Sequence, residues 1–556
     1  MGRSHPSPCI QCRCRKVRCD RRQETCGSCE RLQFNCSFQT KVTQNKASEK
    51  QIRAGPPERR RASRACLACR RLKARCSGDL PGCENCRQRQ RQCHYAASEL
   101  PPTEISRPIN DSILSPLFPI RRQELSKALD CFFHHLYPIP SFAFLHEPSI
   151  RQHCRNGTLD QPLALSLMAI TKVCLGSDQR MIQECRSWIR KAEGELWEHL
   201  HQPSICRVQS LILVVQFYIQ MGEFARAYMM AGLAARSATA LRLNYERPEL
   251  GFVAQETRRR VLWALINIDG HFSVGLPEYE TIPYAIVYQR LPGSEEEFFS
   301  GSSQVDTGPN LLAACLQVSK IQRDVMRLTR QLAISDKPLA ELPGLVQEIQ
   351  NELWRLHADL ELTADFSIST TTQPMKMKDS RWFVRYLLAS LCWHQVHCDL
   401  YRIFLRGYPE AVPTMIMNTT DATFRDHAAE MCRIHSQQII QILGGVLKHL
   451  DAPLLPSYVA ICAYQAARLA LFLPSQSSPR GSFTTDSAVA NANTSLTILH
   501  NFFSTAPFAQ DIIADLQRLL ELADRESLRT SDGRHRHSQL AVHSLIRQAS
   551  FVDEGY

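Results

Sequence analysis

From residue 122 onward one pattern recurs: apolar residues three and four positions apart, with polar residues between them. Val384, Leu387, Leu388 and Leu391 are one instance. The periodicity predicts amphipathic helices over residues 122–136, 161–176, 179–200, 204–220, 223–242, 254–272, 310–333, 340–361, 381–405, 424–450, 457–473, 486–504 and 508–526. Strand-like alternation is almost absent, so the expected fold class is mainly α. Residues 363–380 and 474–485, rich in Ser and Thr, read as loops. The polar end from about residue 527 reads as a disordered tail. The longest apolar stretches, such as Leu211–Tyr218, are broken by polar residues at helical spacing, and no membrane span is expected.

The N-terminal part follows a different rule. Residues 37–65 are polar and basic without apolar periodicity, which predicts a flexible linker. Residues 94–121 carry prolines at 101, 102, 108, 116 and 119 and read as a second linker. Charge sharpens the division. Residues 1–100 hold 23 Lys and Arg against 8 Asp and Glu, whereas the other 456 residues hold 43 against 46. The net charge of +12 therefore resides in the N-terminal segment, the footprint of a polyanion partner. The opening MGRSHPSPCIQCR has no apolar stretch, so no secretory signal is expected. Of the 23 cysteines, 13 lie in residues 1–93. In a long chain without a secretory signal, such a cluster favours metal binding over a disulfide framework.

Those cysteines form two repeats. The first places Cys9, Cys12, Cys19, Cys26, Cys29 and Cys36 at the spacing C-x2-C-x6-C-x6-C-x2-C-x6-C. The second places Cys66, Cys69, Cys76, Cys83, Cys86 and Cys93 at the same spacing. Zinc takes four tetrahedral ligands and favours thiolates in structural sites. Two zinc ions need eight bonds, and six thiolates supply them if two cysteines bridge both metals. Each repeat divides into two C-x2-C-x6-C halves, each able to form a short helix after its cysteine pair. Basic residues crowd between the second and third cysteines: Arg13, Arg15, Lys16 and Arg18 in one repeat, Arg70, Arg71, Lys73 and Arg75 in the other. A short helix bearing Lys and Arg can reach guanine O6 and N7 in the major groove, while neighbouring Arg residues hold phosphates.

In this spacing and these basic residues the sequence resembles the fungal Zn2Cys6 transcription factors. The resemblance implies that Cys9 with Cys26, and Cys66 with Cys83, are the bridging pairs. It also implies that Lys16 and Lys73 read bases, commonly in a CGG triplet. Two departures stand out. Pro81 supplies the proline usual between the third and fourth cysteines of the second repeat, but the first has Asp-Arg-Arg-Gln-Glu-Thr there. Cys14 is a seventh cysteine that no spacing makes a ligand.

The resemblance extends to the helical region. Residues 128–146 look like the entry to the fungal-specific transcription factor domain, also called the middle homology region. Tyr228–Ala234, Glu256-Thr-Arg-Arg-Arg-Val-Leu-Trp263, Asp269, Gly275-Leu-Pro277 and Leu291-Pro292 match its order of features. Residues 394–406 resemble its later helix. The best match spans 122–420, and the resemblance implies an all-helical regulatory domain. Within it, Glu256 and Arg260 are expected to pair at i,i+4 while Val261, Leu262 and Leu265 face the core, so Arg258–Arg260 is not read as a nucleic-acid patch. His394, His397 and Cys398 read as packed residues rather than metal ligands. Enzyme signatures such as H-E-x-x-H, G-x-S-x-G, the P-loop and G-x-G-x-x-G are absent, so no enzyme is expected.

The architecture expected is therefore a first cluster at 9–36, a linker at 37–65, a second cluster at 66–93, a linker at 94–121, an all-helical domain at 122–526 and a tail at 527–556. The function expected is a nuclear regulator of RNA polymerase II genes, holding four zinc ions and reading CGG-like triplets in double-stranded DNA. The other reading is a zinc-stapled scaffold without base recognition. Arg59, Arg60, Arg61 and Arg64 form a short basic run of the nuclear-import type. Transcription machinery is the expected protein partner. Dimerisation through the helical domain is a second route to several readers, and a small-molecule effector finds no support in the sequence.

Overall fold

The computed structural model describes residues 9, 12, 17–20, 22, 26–31, 69, 72, 84–89, 122–176, 178–274, 276–302, 310–333, 341–364, 366–449, 454–476 and 485–524. The chain divides into two units, residues 1–108 and 109–556.

In the first unit two short helices are described, α1 (Gly27–Arg31) and α2 (Glu84–Gln88). Each begins just after the fourth cysteine of its repeat and carries the fifth, Cys29 or Cys86. Among the described residues of this unit, cysteines are the only buried apolar side chains. The described residues of this unit form no apolar core beyond these cysteines.

The second unit is a helical assembly. Its helices are α3 (Arg122–Cys131), α4 (Glu147–Asn156), α5 (Gln161–Leu175), α6 (Gln179–Glu198), α7 (Ile205–Gln220), α8 (Phe224–Ala240) and α9 (Phe252–Ser273), followed by α10 (Glu295–Ser300), α11 (Leu311–Ala333), α12 (Leu342–Ala364), α13 (Gln373–Lys376), α14 (Phe383–Tyr401) and α15 (Thr414–Thr419), and finally α16 (Ala422–His449), α17 (Ser457–Phe472), α18 (Thr485–Phe503) and α19 (Gln510–Asp524). No strand occurs among the described residues, and no helix is long and apolar enough to cross a membrane. The thirteen helices expected from periodicity are present, with ends shifted by a few residues. The shorter α4, α10, α13 and α15 were not expected. Phe366 and Ile368, in the predicted loop 363–380, are fully buried. The tail from 527 and both linkers lie outside the described residues.

The helix ends carry the chemistry that stops them. Asp160, Asp178 and Ser204 cap α5, α6 and α7 by accepting backbone N–H groups. Ser294 and Glu297 form a reciprocal capping box at α10. Gly157 ends α4 in the left-handed region, where the lack of a Cβ removes the steric cost. Neighbours in sequence pack against each other: α5 on α6 and α7, α7 on α8, α11 on α14, α14 on α16, then α16, α17, α18 and α19 in succession.

One ionic network crosses the core of this unit. Arg260 in α9 donates to Glu256 at 2.8 Å and to Glu295 in α10 at 2.9 Å. Arg385 in α14 also donates to Glu295, at 2.5 Å, and to the Pro138 carbonyl. The Tyr137 hydroxyl donates to Glu295 at 2.7 Å. Arg260 caps the Phe298 ring at 4.2 Å and donates to the Gly293 and Ser294 carbonyls. The Glu256–Arg260 pair is thus present as expected, but both residues are fully buried rather than on a surface. Val261, Leu262 and Leu265 face the core, as expected. Arg258 is also buried and donates to the Leu241 and Arg242 carbonyls.

Candidate metal centre and nucleic-acid interface

The cysteine spacing of the first repeat closes into a compact thiol cluster. The sulfurs of Cys9, Cys12, Cys19 and Cys26 all lie within 4.8 Å of one another. Cys9 Sγ is 3.6 Å from Cys26 Sγ, and Cys12 Sγ is 3.5 Å from Cys26 Sγ. Cys29 Sγ lies 3.7 Å from Cys9 Sγ. A disulfide needs a bond of about 2.05 Å, so these thiols are free. A tetrahedral zinc with Zn–S bonds of about 2.3 Å has edges of roughly 3.8 Å. The observed separations fit that edge length, and the donor set is the one zinc favours.

The arrangement also orders the cysteines. Cys12 and Cys19 join Cys9 and Cys26 in one four-sulfur group, while Cys29 approaches Cys9 from beyond it. Cys9 thus contacts both the four-sulfur group and Cys29, and Cys26 belongs to that group. Cys36, the sixth cysteine, lies outside the described residues.

Burial keeps two of these thiols protonated when no cation is beside them. Burial pushes the Cys9 thiol up to about 12. Burial likewise drives Cys26 far above the ordinary thiol range. Burial acts to raise Cys12 too, but hydrogen bonds from Cys9 and Cys26 outweigh it and hold that thiol at about 7. Three buried thiols in contact resist shared ionisation without a positive charge among them, and a dication supplies it.

The segment between the third and fourth cysteines lacks the usual proline, and its described residue Asp20 is tied to the start of α1. Both Asp20 carboxylate oxygens accept the Gly27 backbone N–H at 3.1 Å, at the start of α1. Arg22 pairs with Asp20 at 3.3 Å. A Cβ on Gly27 would stand 2.8 Å from Asp20 Oδ2, so an alanine there would push the Asp20 carboxylate aside. Gly27→Ala is expected to displace the clamp and cost about 1 kcal/mol, a fivefold or so loss of metal retention. Competition with a chromogenic chelator measures it; unchanged retention would show that the clamp is incidental.

In the second repeat Cys69 and Cys86 are buried with sulfurs 3.9 Å apart, and Asn85 Nδ2 donates to Cys69 Sγ at 3.3 Å. Cys66, Cys76, Cys83 and Cys93 lie outside the described residues. So do Cys14, Arg13, Arg15, Lys16, Arg70, Arg71, Lys73 and Arg75. Arg18 is described and exposed, as are Arg22, Arg31, Arg87 and Arg89. The Val17 N–H bonds the Cys12 carbonyl at 3.1 Å. Sequence reasoning missed the Asp20 clamp. The residue after Cys19 and the glycine after Cys26 were its visible signs.

In the helical unit His394, His397 and His435 are buried together around Trp393. His397 stacks on His435 at 4.1 Å, and the Nδ1 atoms of His394 and His435 share a hydrogen bond at 2.8 Å. Burial holds His394 at about 3 and His397 at about 4, so both are neutral. The three rings pack against one another and against Trp393.

Comparison with known proteins bears on both units. The fungal Zn(2)-Cys(6) binuclear cluster domain matches residues 7–45 and 64–100, and this domain implies zinc binding. The fungal specific transcription factor domain matches residues 129–364. The chain is 25% identical over 188 residues to the Zn(2)-C6 fungal-type transcription factor FTF1c of Fusarium oxysporum f. sp. lycopersici, covering 31% of this chain and 20% of that protein. It is 20% identical over 334 residues to FTF2 of the same organism, covering 41% of this chain and 31% of that protein. An uncharacterized transcriptional regulatory protein of Schizosaccharomyces pombe is 53% identical over 36 residues, 6% of each chain. The matches thus span less than a third of the length of these relatives. Both matched domains, and the names of these relatives, are those of transcription factors rather than enzymes. In both matched domains and in these relatives the chain is similar to fungal Zn(2)-Cys(6) transcription factors.

Proposed function

We propose that the chain is a nuclear, sequence-specific DNA-binding regulator of RNA polymerase II transcription. It would hold four zinc ions, two in each cluster, and read CGG-like triplets in double-stranded DNA. The observation that carries this reading is the four-sulfur group of Cys9, Cys12, Cys19 and Cys26 with Cys29 beside Cys9, in a unit that holds the chain's excess positive charge. The zinc ligands are Cys9, Cys12, Cys19, Cys26, Cys29 and Cys36 in the first cluster. In the second they are Cys66, Cys69, Cys76, Cys83, Cys86 and Cys93.

The residues divide by role. Lys16 and Lys73 reach base edges, and Arg13, Arg15, Arg18, Arg70, Arg71 and Arg75 hold phosphates. The two clusters would act in cis. The segment between them has 29 residues, and a flexible coil of that length spans roughly 30 Å. One turn of B-DNA is about 34 Å, so successive major grooves on one face are within reach. Tethering makes the second contact intramolecular, at an effective concentration near millimolar. The prolines of 94–121 disfavour a coiled-coil dimer following the clusters. The helical unit serves regulation and contact with the transcription machinery.

The test is the ratio of affinities for CGG-bearing and scrambled duplexes. Lys73→Ala should cost about 1–3 kcal/mol on the CGG duplex and little on the scrambled one. Arg75→Ala should weaken both alike and reduce the salt slope by about one. Equal losses on both duplexes for Lys73→Ala would refute the assignment of base reading.

A further inference from the structure

The helical unit contains a partly open cavity of about 110 Å³ between α9, α11, α14 and the start of α17. Its walls are mostly apolar, with Ile139, Ile266, Leu316 and Leu388 among them. Cavities of about 150 Å³ admit a benzene-sized molecule, so the enclosed part here suits roughly four or five heavy atoms, with a slightly larger ligand reaching into the open mouth.

Two polar atoms on this wall are buried without a well-formed hydrogen bond: the Tyr458 hydroxyl, which has the Gln322 side chain beside it, and Arg323 Nη1, whose guanidinium neighbours the Tyr284 side chain. The rest of the Arg323 guanidinium is occupied. Its Nε donates to Glu280 at 2.7 Å, its Nη2 to the Ile282 carbonyl at 3.4 Å, and its face lies over the Tyr284 ring at 4.3 Å. Asp269 stands 3.7 Å away. The charge of Arg323 is therefore balanced, and what Nη1 lacks is a well-placed acceptor. An unsatisfied buried donor costs about 1–3 kcal/mol.

The backbone around the cavity is also chosen against stability. Gly270 lies within α9 and lines the cavity, and a Cβ there would meet nothing within 4 Å. A helical glycine costs about 1 kcal/mol relative to alanine, so an alanine would fit and stabilise. Val274, also on the wall, ends α9 at φ +46, a left-handed conformation that a β-branched residue adopts at a cost. Filling the space and relaxing the backbone are both sterically open, and the sequence takes neither.

We propose that this cavity binds a small, predominantly apolar molecule bearing one hydrogen-bond-accepting oxygen, held by Arg323 Nη1 and the Tyr458 hydroxyl. The ligand is neutral or weakly polar, because the neighbouring acidic groups already balance the cation. This site lies wholly within the helical unit and stands apart from metal binding and DNA reading.

The test uses the full zinc-loaded chain and two ring probes matched in shape: cyclopentanone, which carries an acceptor, and cyclopentane, which does not. Saturation-transfer NMR titrations should show saturable binding of cyclopentanone. Tyr458→Phe should weaken cyclopentanone at least fivefold and leave cyclopentane unchanged. Gly270→Leu should abolish binding of both probes with the melting temperature held or raised, and Gly270→Ala should weaken it partially should the larger residue prevent folding. No saturable binding by the unsubstituted chain would overturn the site. So would full binding by folded Gly270→Leu or Gly270→Ala. Equal binding of both probes, indifferent to Tyr458→Phe, would overturn the acceptor chemistry.

Discussion

Stripping zinc from the intact chain should unfold the cluster unit and leave the helical unit folded. The reason is where apolar burial occurs. In the described part of the first unit, cysteines alone are buried, whereas the helical unit closes on an apolar core running from Leu125 to Ala523. Thiols in van der Waals contact provide little folding free energy without metal, while structural zinc in small domains supplies about 10–16 kcal/mol in apparent terms. Metal binding must also displace protons, since burial holds the Cys9 thiol at about 12 and Cys26 higher still. Zinc should therefore be lost on acidification, as protons compete for the sulfurs. Metal analysis alongside circular dichroism and thermal melting checks both parts. The expected result is loss of zinc with only a small fall in helical signal and an unchanged main transition. Collapse of the main transition on chelation would show that the helical unit depends on the metal.

Glu295→Ala should destabilise the helical unit by about 3–5 kcal/mol, the range for breaking a buried ion pair from one side. Glu295 is the acceptor shared by Arg260, Arg385 and Tyr137, so its removal leaves two buried guanidinium groups without their common counter-charge. The same group predicts a pH dependence. Burial acts to raise the Glu295 carboxyl, but the charges of Arg385 and Arg260 outweigh it and hold it at about 2. A carboxyl depressed in the folded state stabilises above its unfolded value, near 4.5, and that contribution disappears as pH falls toward 2. The loss is about 3 kcal/mol at about 1.4 kcal/mol per unit. Urea unfolding at pH 7 and at pH 3 captures about 2 kcal/mol of it, the remainder being lost nearer pH 2. In the Glu295→Ala variant the acid-induced loss should shrink, and an unchanged pH dependence would place the acid sensitivity elsewhere. Charge removal without a cavity is tested by Glu295→Gln, which should also be destabilising.

The features legible in the sequence are those whose information is local. Helices announce themselves by apolar spacing within one segment, so α5, α7, α11, α14 and α16 were readable to within a few residues. The thiol cluster was readable because chelation by one short segment fixes its own spacing. The ionic network was not, because its members come from residues 137, 256, 260, 295 and 385, and Arg385 meets Tyr137 across 248 positions. The place of Arg385 inside the run Phe383-Val-Arg-Tyr-Leu-Leu names no partner, and its burial is seen only in the structure. Helix α10 is six residues long, too short for periodicity, although Ser294 and Glu297 spelled its capping box. The cavity was invisible for a further reason. Gly270 in a helix reads as a small defect until the space facing it is seen.

The central claim is that metal-organised basic segments recognise DNA sequence. It is tested most directly by titrating the intact chain against duplexes carrying two CGG triplets, one triplet and none, at physiological salt, before and after chelation. The account predicts affinity falling in the order two, one, none, with the differences abolished by removing zinc and restored by returning it. Equal affinity for all three duplexes, or sequence preference that survives complete loss of zinc, would contradict it.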